Sequence, residues 1–315
     1  MSGPVVAALG GGHGLAASLS ALRLITDELT AVVTVADNGG SSGRLRREFG
    51  VLPPGDLRMA LAALCEDSEW GRRWRDVLQH RFSGAGALGG HPLGNLLIVA
   101  LWELEEDPVA GLDFVGRLVG ARGRVLPMAA VPLDIEADVS GVEPGRRVLV
   151  RGQAEVATTP GTVEEVRLVP ADPPAYPESV AALRAADWVV LGPGSWFTSV
   201  MPHLLVPELR EALRITRARR ILVLNLEVGK DETQGFSAVG HLESFALHAP
   251  DVRLDVVLAD PGVVDDEAAL VAAADAIGAE LHVAPVAQRG SPGRHDPLRL
   301  AAALQDVFSP GRARW

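Results

Sequence analysis

Residues 5–25 read VVAALGGGHGLAASLSALRLI: a short apolar run, a cluster of glycines, then a segment with apolar residues on one helical face. This order predicts a buried β-strand over Val5–Leu9, a tight turn and an α-helix. The run TAVVTVA predicts a second buried strand over Thr30–Ala36, because it is rich in β-branched residues. Four later apolar runs, DWVVLG, RRILVLN, LDVVLAD and ELHVAPV, each adjoin a helical stretch. This alternation predicts an α/β protein with a Rossmann-like, doubly wound, mainly parallel sheet.

The pattern changes in the middle of the chain. Helical periodicity dominates from Asp56 to about Val119, with Pro92 and Pro108 placed as first-turn prolines. From about 124 to 172 the segments are short, alternating and interrupted by Gly and Pro, which predicts antiparallel strands. We find no repeat of fixed period and no low-complexity linker. A single domain over 1–315 is therefore expected, with a β-rich insertion at about 124–172.

Composition argues against several classes of protein. The formal net charge of −11 disfavours non-specific nucleic-acid binding through a broad basic surface. Mean hydropathy is +0.19, but no apolar run approaches the about 20 residues of a membrane-spanning helix. Cys65 is the only cysteine, so an internal disulfide and a cysteine metal site are excluded and a cytoplasmic location is favoured. Lys230, the only lysine, lies in Gly-Lys-Asp, which excludes Walker A chemistry.

Loops rich in glycine and polar residues punctuate the predicted elements. Loops that follow parallel strands meet at one edge of the sheet, where backbone N–H groups and helix N-termini can bind anions. The spacing in GGGHG is not that of the dinucleotide fingerprint G-x-G-x-x-G, which disfavours an NAD-dependent oxidoreductase. We therefore predict a cleft for an anionic, nucleotide-type ligand. The candidate ligand-binding residues are Gly11, Gly12, His13, Gly14, Asp37, Asn38, Gly39, Gly40, Ser41, Ser42, Asp56, Arg58, Asn95, Gly192, Gly194, Ser195 and Asn225.

Each of these residues also has an ordinary structural interpretation. Ser41, Ser42 or Asp56 could cap a helix, and Arg58 could form a surface salt bridge. The stretch GPGSWF lacks a glycine two positions after Ser195, so this serine is not a hydrolase nucleophile elbow. No metal site and no catalytic residue are predicted from the local patterns.

Together, the loops resemble the YvcK branch of the YvcK/CofD-like family, which is named gluconeogenesis factor. The resemblance is carried by GGGHGL, by TAVVTVADNGGSSGRLRREFGVLPPGDLRMALAAL, by GGHPLGNLL and by LGPGSWFTSVMPHLLVPEL. It implies a Rossmann-like fold, binding of UDP-activated sugars, and a role in cell shape and cell-wall precursor allocation during growth on gluconeogenic carbon sources. A sister branch contains 2-phospho-L-lactate transferases of deazaflavin coenzyme synthesis.

The resemblance also adds a pair of residues and marks three departures. Arg294 and His295, in Arg-His-Asp, resemble an Arg-His pair that the YvcK branch places against the nucleotide sugar. His13 stands where many members have Thr, and Met59 where many have Asn. Asn38 replaces the second Asp of the usual Ala-Asp-Asp-Gly-Gly. Because an Asp pair can hold a hard cation between phosphates, this last departure makes metal-dependent transfer less expected here.

These observations predict a nucleotide-sugar-binding regulator of the UDP-GlcNAc or UDP-glucose type, with no required cofactor and no membrane insertion. The alternative is a phospholactate-type transferase. A dependence on Mg²⁺ stays open but is disfavoured. Cell-wall enzymes, a kinase and a second copy of the chain stay open as partners.

Overall fold

The computed structural model describes residues 3–228 and 231–309, and only the backbone of Asp231 and Pro292. Lys230, used above to exclude a Walker A sequence, lies outside the described residues. Within these ranges, no helix is long and apolar enough to cross a membrane.

Helices and strands alternate along most of the chain. The strands are β1 Val6–Gly10, β2 Leu29–Val33, β3 Arg124–Pro127, β4 Asp134–Glu143, β5 Arg146–Arg151, β6 Thr162–Val169, β7 Trp188–Leu191, β8 Arg219–Val223, β9 Val256–Ala259, β10 Glu280–Val283, β11 Ala287–Gln288 and β12 Ser291–His295. The α-helices are α1 Gly12–Leu22, α2 Gly40–Phe49, α3 Pro54–Leu64, α4 Glu69–Gln79, α5 Leu93–Glu105, α6 Pro108–Leu118, α7 Gln153–Ala157, α8 Pro177–Ala185, α9 Met201–Leu205, α10 Pro207–Ile215, α11 Ala238–His248, α12 Glu267–Ala276 and α13 Pro297–Phe308. A π-helical turn, Trp196–Val200, precedes α9.

The centre of the molecule is a seven-stranded sheet in the order β10-β9-β8-β7-β1-β2-β3. All of its neighbouring strands are parallel, which confirms the predicted Rossmann-like fold. From β1 the chain builds the sheet towards β3, and it later returns to the other side of β1 with β7. The strand order therefore reverses between β1 and β7, where ligands bind in open α/β sheets.

Hydrophobic burial explains why these strands form. Val6 and Leu9 of β1 are 1% exposed, as expected for a strand covered on both faces. Cys65 is fully buried among apolar residues, and burial raises the pKa of its thiol to about 11. Pro108 begins α6 after Asp107, whose carboxylate accepts hydrogen bonds from two first-turn N–H groups. Pro92 lies one position earlier than predicted, at the N-cap of α5.

A separate antiparallel sheet in the order β5-β4-β6 forms the β-rich segment. The boundary expected near Arg124 differs from the structure by one strand, since β3 pairs with β2 in the parallel sheet. The sequence of β3 gives the reason: Val125, Leu126 and Pro127 are all buried, whereas alternation of buried and half-buried residues begins at Asp134. The short helix α7 lies between β5 and β6.

Candidate functional site

A cleft of about 950 Å³ opens at the carboxyl ends of β1, β7 and β8, next to the reversal of strand order. Loops after these three strands form its floor. Helix α7 and the β11–β12 hairpin contribute further walls. Nine of the residues proposed from the sequence line this cleft: Gly11, Gly12, His13, Gly14, Asp56, Gly194, Ser195, Asn225 and Arg294.

The first glycine loop leads directly into α1. Its N-cap residue, Gly11, has no side chain to satisfy the first N–H groups of the helix. The N-terminus of α1 therefore presents backbone donors and the positive end of the helix dipole to the cleft. Gly14 allows the neighbouring loop to approach, because a Cβ atom there would lie 2.2 Å from the carbonyl oxygen of Pro193.

Asp56 is the acidic group of this floor. It lies in the first turn of α3 and accepts a hydrogen bond from the backbone N–H of Gly12. Burial and the negative charge of Asp37 raise the pKa of Asp56 to about 7, although the Gly12 N–H and the charge of Arg58 oppose this rise. A carboxyl group with this pKa is protonated in part of the molecules near neutral pH, which lowers its repulsion of an anionic ligand.

The loop after β7 is fixed by its neighbours. Asn225, directly after β8, accepts a hydrogen bond from the Gly194 N–H and donates one to the Gly194 carbonyl, both at 2.8 Å. The Gly194 N–H is therefore already used by the protein. The carbonyl of Gly192 accepts a hydrogen bond of 2.7 Å from Ser18 on α1, and Gly192 does not line the cleft.

The remaining candidates lie away from the lining of the cleft. These are Asp37, Asn38, Gly39, Gly40, Ser41, Ser42, Arg58, Asn95 and Gly192. Arg58 Nε donates to Asn95 Oδ1 at 2.9 Å, and Asn95 Nδ2 donates to Ser41 Oγ at 3.2 Å. Arg58 is only 3% exposed, and burial together with the charge of Arg81 lowers its pKa to about 10. Arg58 is therefore buried, so its alternative interpretation as a surface residue is wrong, and it does not line the cleft.

Arg294 reaches the cleft from a distant part of the chain. It lies on β12, the second strand of the C-terminal hairpin. Asp260, after β9, accepts hydrogen bonds from the N–H groups of Val286 and Ala287 at 2.8 and 2.9 Å, which fixes the start of the hairpin. Burial alone would raise the pKa of Asp260, but its backbone donors outweigh that effect and lower it.

Several cleft residues were not found from the sequence. Gln153, Ala157 and Thr158 come from α7 and its C-terminal end. His295, the second residue of the Arg-His pair, follows Arg294 on β12 and also lines the cleft. Burial lowers the pKa of His295 to about 4, so the ring is neutral at physiological pH. No glycine loop marks these positions, and only the tertiary fold brings them to the cleft.

Two aromatic residues follow the glycine loop after β7. Trp196 and Phe197 are 2% and 1% exposed, and only Trp196 also lines the cleft. Among the described residues, no group of three or more His, Cys, Asp and Glu side chains could hold a metal ion.

Comparisons with known proteins give a consistent result. The family model described as 2-phospho-L-lactate transferase CofD matches residues 6–288. A protein of Mycobacterium tuberculosis named "Putative gluconeogenesis factor" is 58% identical over 307 residues, which cover 96% of this chain and 90% of that protein. The gluconeogenesis factor of Bacillus subtilis is 35% identical over 264 residues, covering 84% of this chain and 81% of that protein. A crystal structure of a UPF0052 family member from Bacillus halodurans superposes with a TM-score of 0.87 at 31% identity, covering 97% of this chain and 99% of that chain.

Proposed function

The chain belongs to the CofD/YvcK family, in which close relatives carry the name gluconeogenesis factor, and we propose that it binds a nucleotide sugar of the UDP-GlcNAc or UDP-glucose type in its cleft. In this proposal the protein acts in the cytoplasm as a regulator that links central carbon metabolism to cell-wall synthesis and cell shape. The nucleotide sugar is the signal, and no cofactor is required.

One observation carries the proposal: the α1 N-terminus and Arg294 line the same cleft at the reversal of strand order. A helix N-terminus and a guanidinium are both suited to the oxygens of a diphosphate. The cleft volume of about 950 Å³ lies at the upper end of the range for small-molecule sites, which suits a ligand made of a base, a diphosphate and a sugar. His13 and Ser195 add polar groups along the lining.

Thermal unfolding with a panel of ligands tests this proposal. A ligand at a hundredfold excess over its Kd stabilises the folded state by about 2.7 kcal/mol. With an unfolding entropy of about 2.1 cal/mol/K per residue, the 315 residues give an increase in Tm of about 4 °C. UDP-GlcNAc and UDP-glucose should produce this increase, also in EDTA, whereas glucose 1-phosphate should not. If no nucleotide sugar changed the Tm at millimolar concentration, the proposal that the cleft binds a nucleotide sugar would be refuted.

Transfer of a 2-phospho-L-lactate group is the second candidate function. It is favoured by the family model that matches residues 6–288, and by the carboxylates of Asp37 and Asp56, which interact electrostatically beside the cleft. Asn38 brings one charge fewer than a second aspartate would, which weakens this candidate. Turnover of an activated 2-phospholactate donor with Mg²⁺, lost in Asp56→Asn, would favour transfer over regulation.

The regulatory part of the proposal has a cellular test. A strain that lacks the protein should grow poorly and change shape on a gluconeogenic carbon source. The wild-type chain should restore growth and shape, whereas Arg294→Ala at the same protein level should restore them only in part. If Arg294→Ala restored growth and shape fully, the cellular role would not depend on ligand binding in the cleft.

A further inference from the structure

Asn38 lies in the loop between β2 and α2 and contacts the inserted segment with both ends of its amide. The side-chain oxygen accepts a hydrogen bond from the Ala154 N–H at 3.2 Å, and the nitrogen donates one to Glu155 Oε2 at 3.1 Å. Both partners belong to α7, more than a hundred residues further along the chain. The loop of the parallel sheet is thereby joined to the β-rich insertion.

The position of α7 matters because its residues form a wall of the cleft. Gln153 and Ala157 belong to this helix, Thr158 follows it, and all three line the cleft. Gly152, just before the helix, has a φ of +104°. A Cβ atom at Gly152 would lie 2.4 Å from Asn38 Nδ2, so the insertion approaches Asn38 as closely as the backbone allows.

From this geometry we infer that Asn38 is a positioning residue that holds α7 in place as a wall of the cleft, and that Glu155 requires an amide rather than a carboxylate at position 38. An amide offers one acceptor and two donors at the same end of a side chain. The two partners also define its orientation, since the flipped amide would face a donor with a donor and an acceptor with an acceptor.

A carboxylate cannot replace this amide. In Asn38→Asp the acceptor for the Ala154 N–H is kept, but a second carboxylate oxygen takes the place of the donor, 3.1 Å from Glu155 Oε2. Like charges at this separation repel, and the lost hydrogen bond releases the start of α7. The departure from Asp-Asp in this loop is thus explained by a contact with the insertion.

The pair can be tested by exchanging the two chemical groups. Asn38→Asp should increase hydrogen–deuterium exchange over residues 152–158 and weaken UDP-GlcNAc binding about tenfold. Glu155→Gln alone is the matched control and should change little, because the introduced amide still offers an acceptor to Asn38. In the double variant Asn38→Asp with Glu155→Gln, the introduced amide donates to the introduced carboxylate. Exchange and affinity should both return close to wild-type values.

Three results would overturn the inference. The first is wild-type exchange over residues 152–158 in Asn38→Asp. The second is a double variant that stays as defective as Asn38→Asp in both measurements. The third is tighter, Mg²⁺-dependent ligand binding by Asn38→Asp, which would assign position 38 to a metal site. The affinity measurement rests on the proposed function, but the exchange measurement does not. Failure of the wild type to bind any nucleotide sugar would leave the test of Asn38 by exchange intact.

Discussion

Arg294→Ala would test whether the C-terminal hairpin contributes to ligand binding. Arg294 is exposed on β12 and lines the cleft. The hairpin is fixed independently of this side chain, through the hydrogen bonds that Asp260 accepts and through Arg299, which donates to the Ala287 carbonyl at 3.2 Å. We therefore expect the substitution to change affinity while the fold and its Tm remain as in the wild type.

The expected loss of affinity follows from the exposure of the side chain. A hydrogen bond to a charged group contributes about 1.5–3 kcal/mol when the contact is well formed, but exposed ion pairs contribute about 1 kcal/mol or less. Arg294 is exposed without ligand, and a diphosphate would cover it in part, so we expect about 1.4–2.8 kcal/mol. This corresponds to a roughly ten- to hundredfold increase in Kd. Arg294→Lys keeps the charge but loses the planar pair of donors, so it should recover only part of the affinity.

Calorimetry with UDP-GlcNAc at constant ionic strength is the suitable assay. Arg289→Ala is the matched control, because Arg289 lies in the same hairpin, is exposed and does not line the cleft. Its Kd should equal that of the wild type. Higher salt should weaken the wild type more than Arg294→Ala, since screening acts on the charge that the variant lacks. Equal Kd values for the wild type and Arg294→Ala would refute this reasoning.

Three further predictions concern the floor and the core. Burial and the charge of Asp37 raise the pKa of Asp56 from 3.8 to about 7, so its contribution to stability is present below about pH 4 and is lost as the pH rises through 7. The free energy of unfolding, measured with urea, should therefore fall less between about pH 5 and about pH 8 in Asp56→Asn than in the wild type. The same fall in both proteins would contradict this. Gly14→Ala should cost about 1–3 kcal/mol and weaken ligand binding, because the new methyl group must push Pro193 away, whereas Gly116→Ala, with 3.9 Å to its nearest neighbour, should not lower the Tm. The buried thiol of Cys65, with a pKa of about 11, should react with a thiol reagent only on unfolding; rapid labelling of the native protein would show that this part of the core opens.

The central sheet could be predicted because its signals are local. Val6–Gly10 and Leu29–Val33 correspond to apolar runs that are buried on both faces, and each run is bounded by turn residues. The convergence of the glycine loops then follows from the rule that parallel strands end at one edge. For this reason the sequence predicts that Gly11–Gly14 and Gly194 lie at one cleft, and both line it.

What the sequence could not predict depends on contacts between distant segments. The β3 strand was grouped with the insertion because its four residues are followed by alternating segments, and only its pairing with β2 places it in the parallel sheet. Gln153 and Thr158 line the cleft, but no sequence motif near them indicates this position. The sequence left Arg58 open as a ligand-binding or a surface residue, because a single arginine gives no sign of burial and its hydrogen bond to Asn95 is a tertiary contact.

The two kinds of cleft residue differ in how they are held. The floor consists of strand-end loops that are fixed by contacts with one another: the Asn225 side chain bonds to the backbone of Gly194, and Gly14 packs against Pro193. Two further walls, α7 and the hairpin, belong to distant segments, and each is joined to the parallel sheet through a polar side chain in a loop after a strand, Asn38 or Asp260. We expect loss of such a contact to displace a wall and to leave the hydrophobic core of the sheet unchanged. Substitutions at Asn38 should therefore reduce affinity with little change in stability, whereas Gly14→Ala should reduce both together.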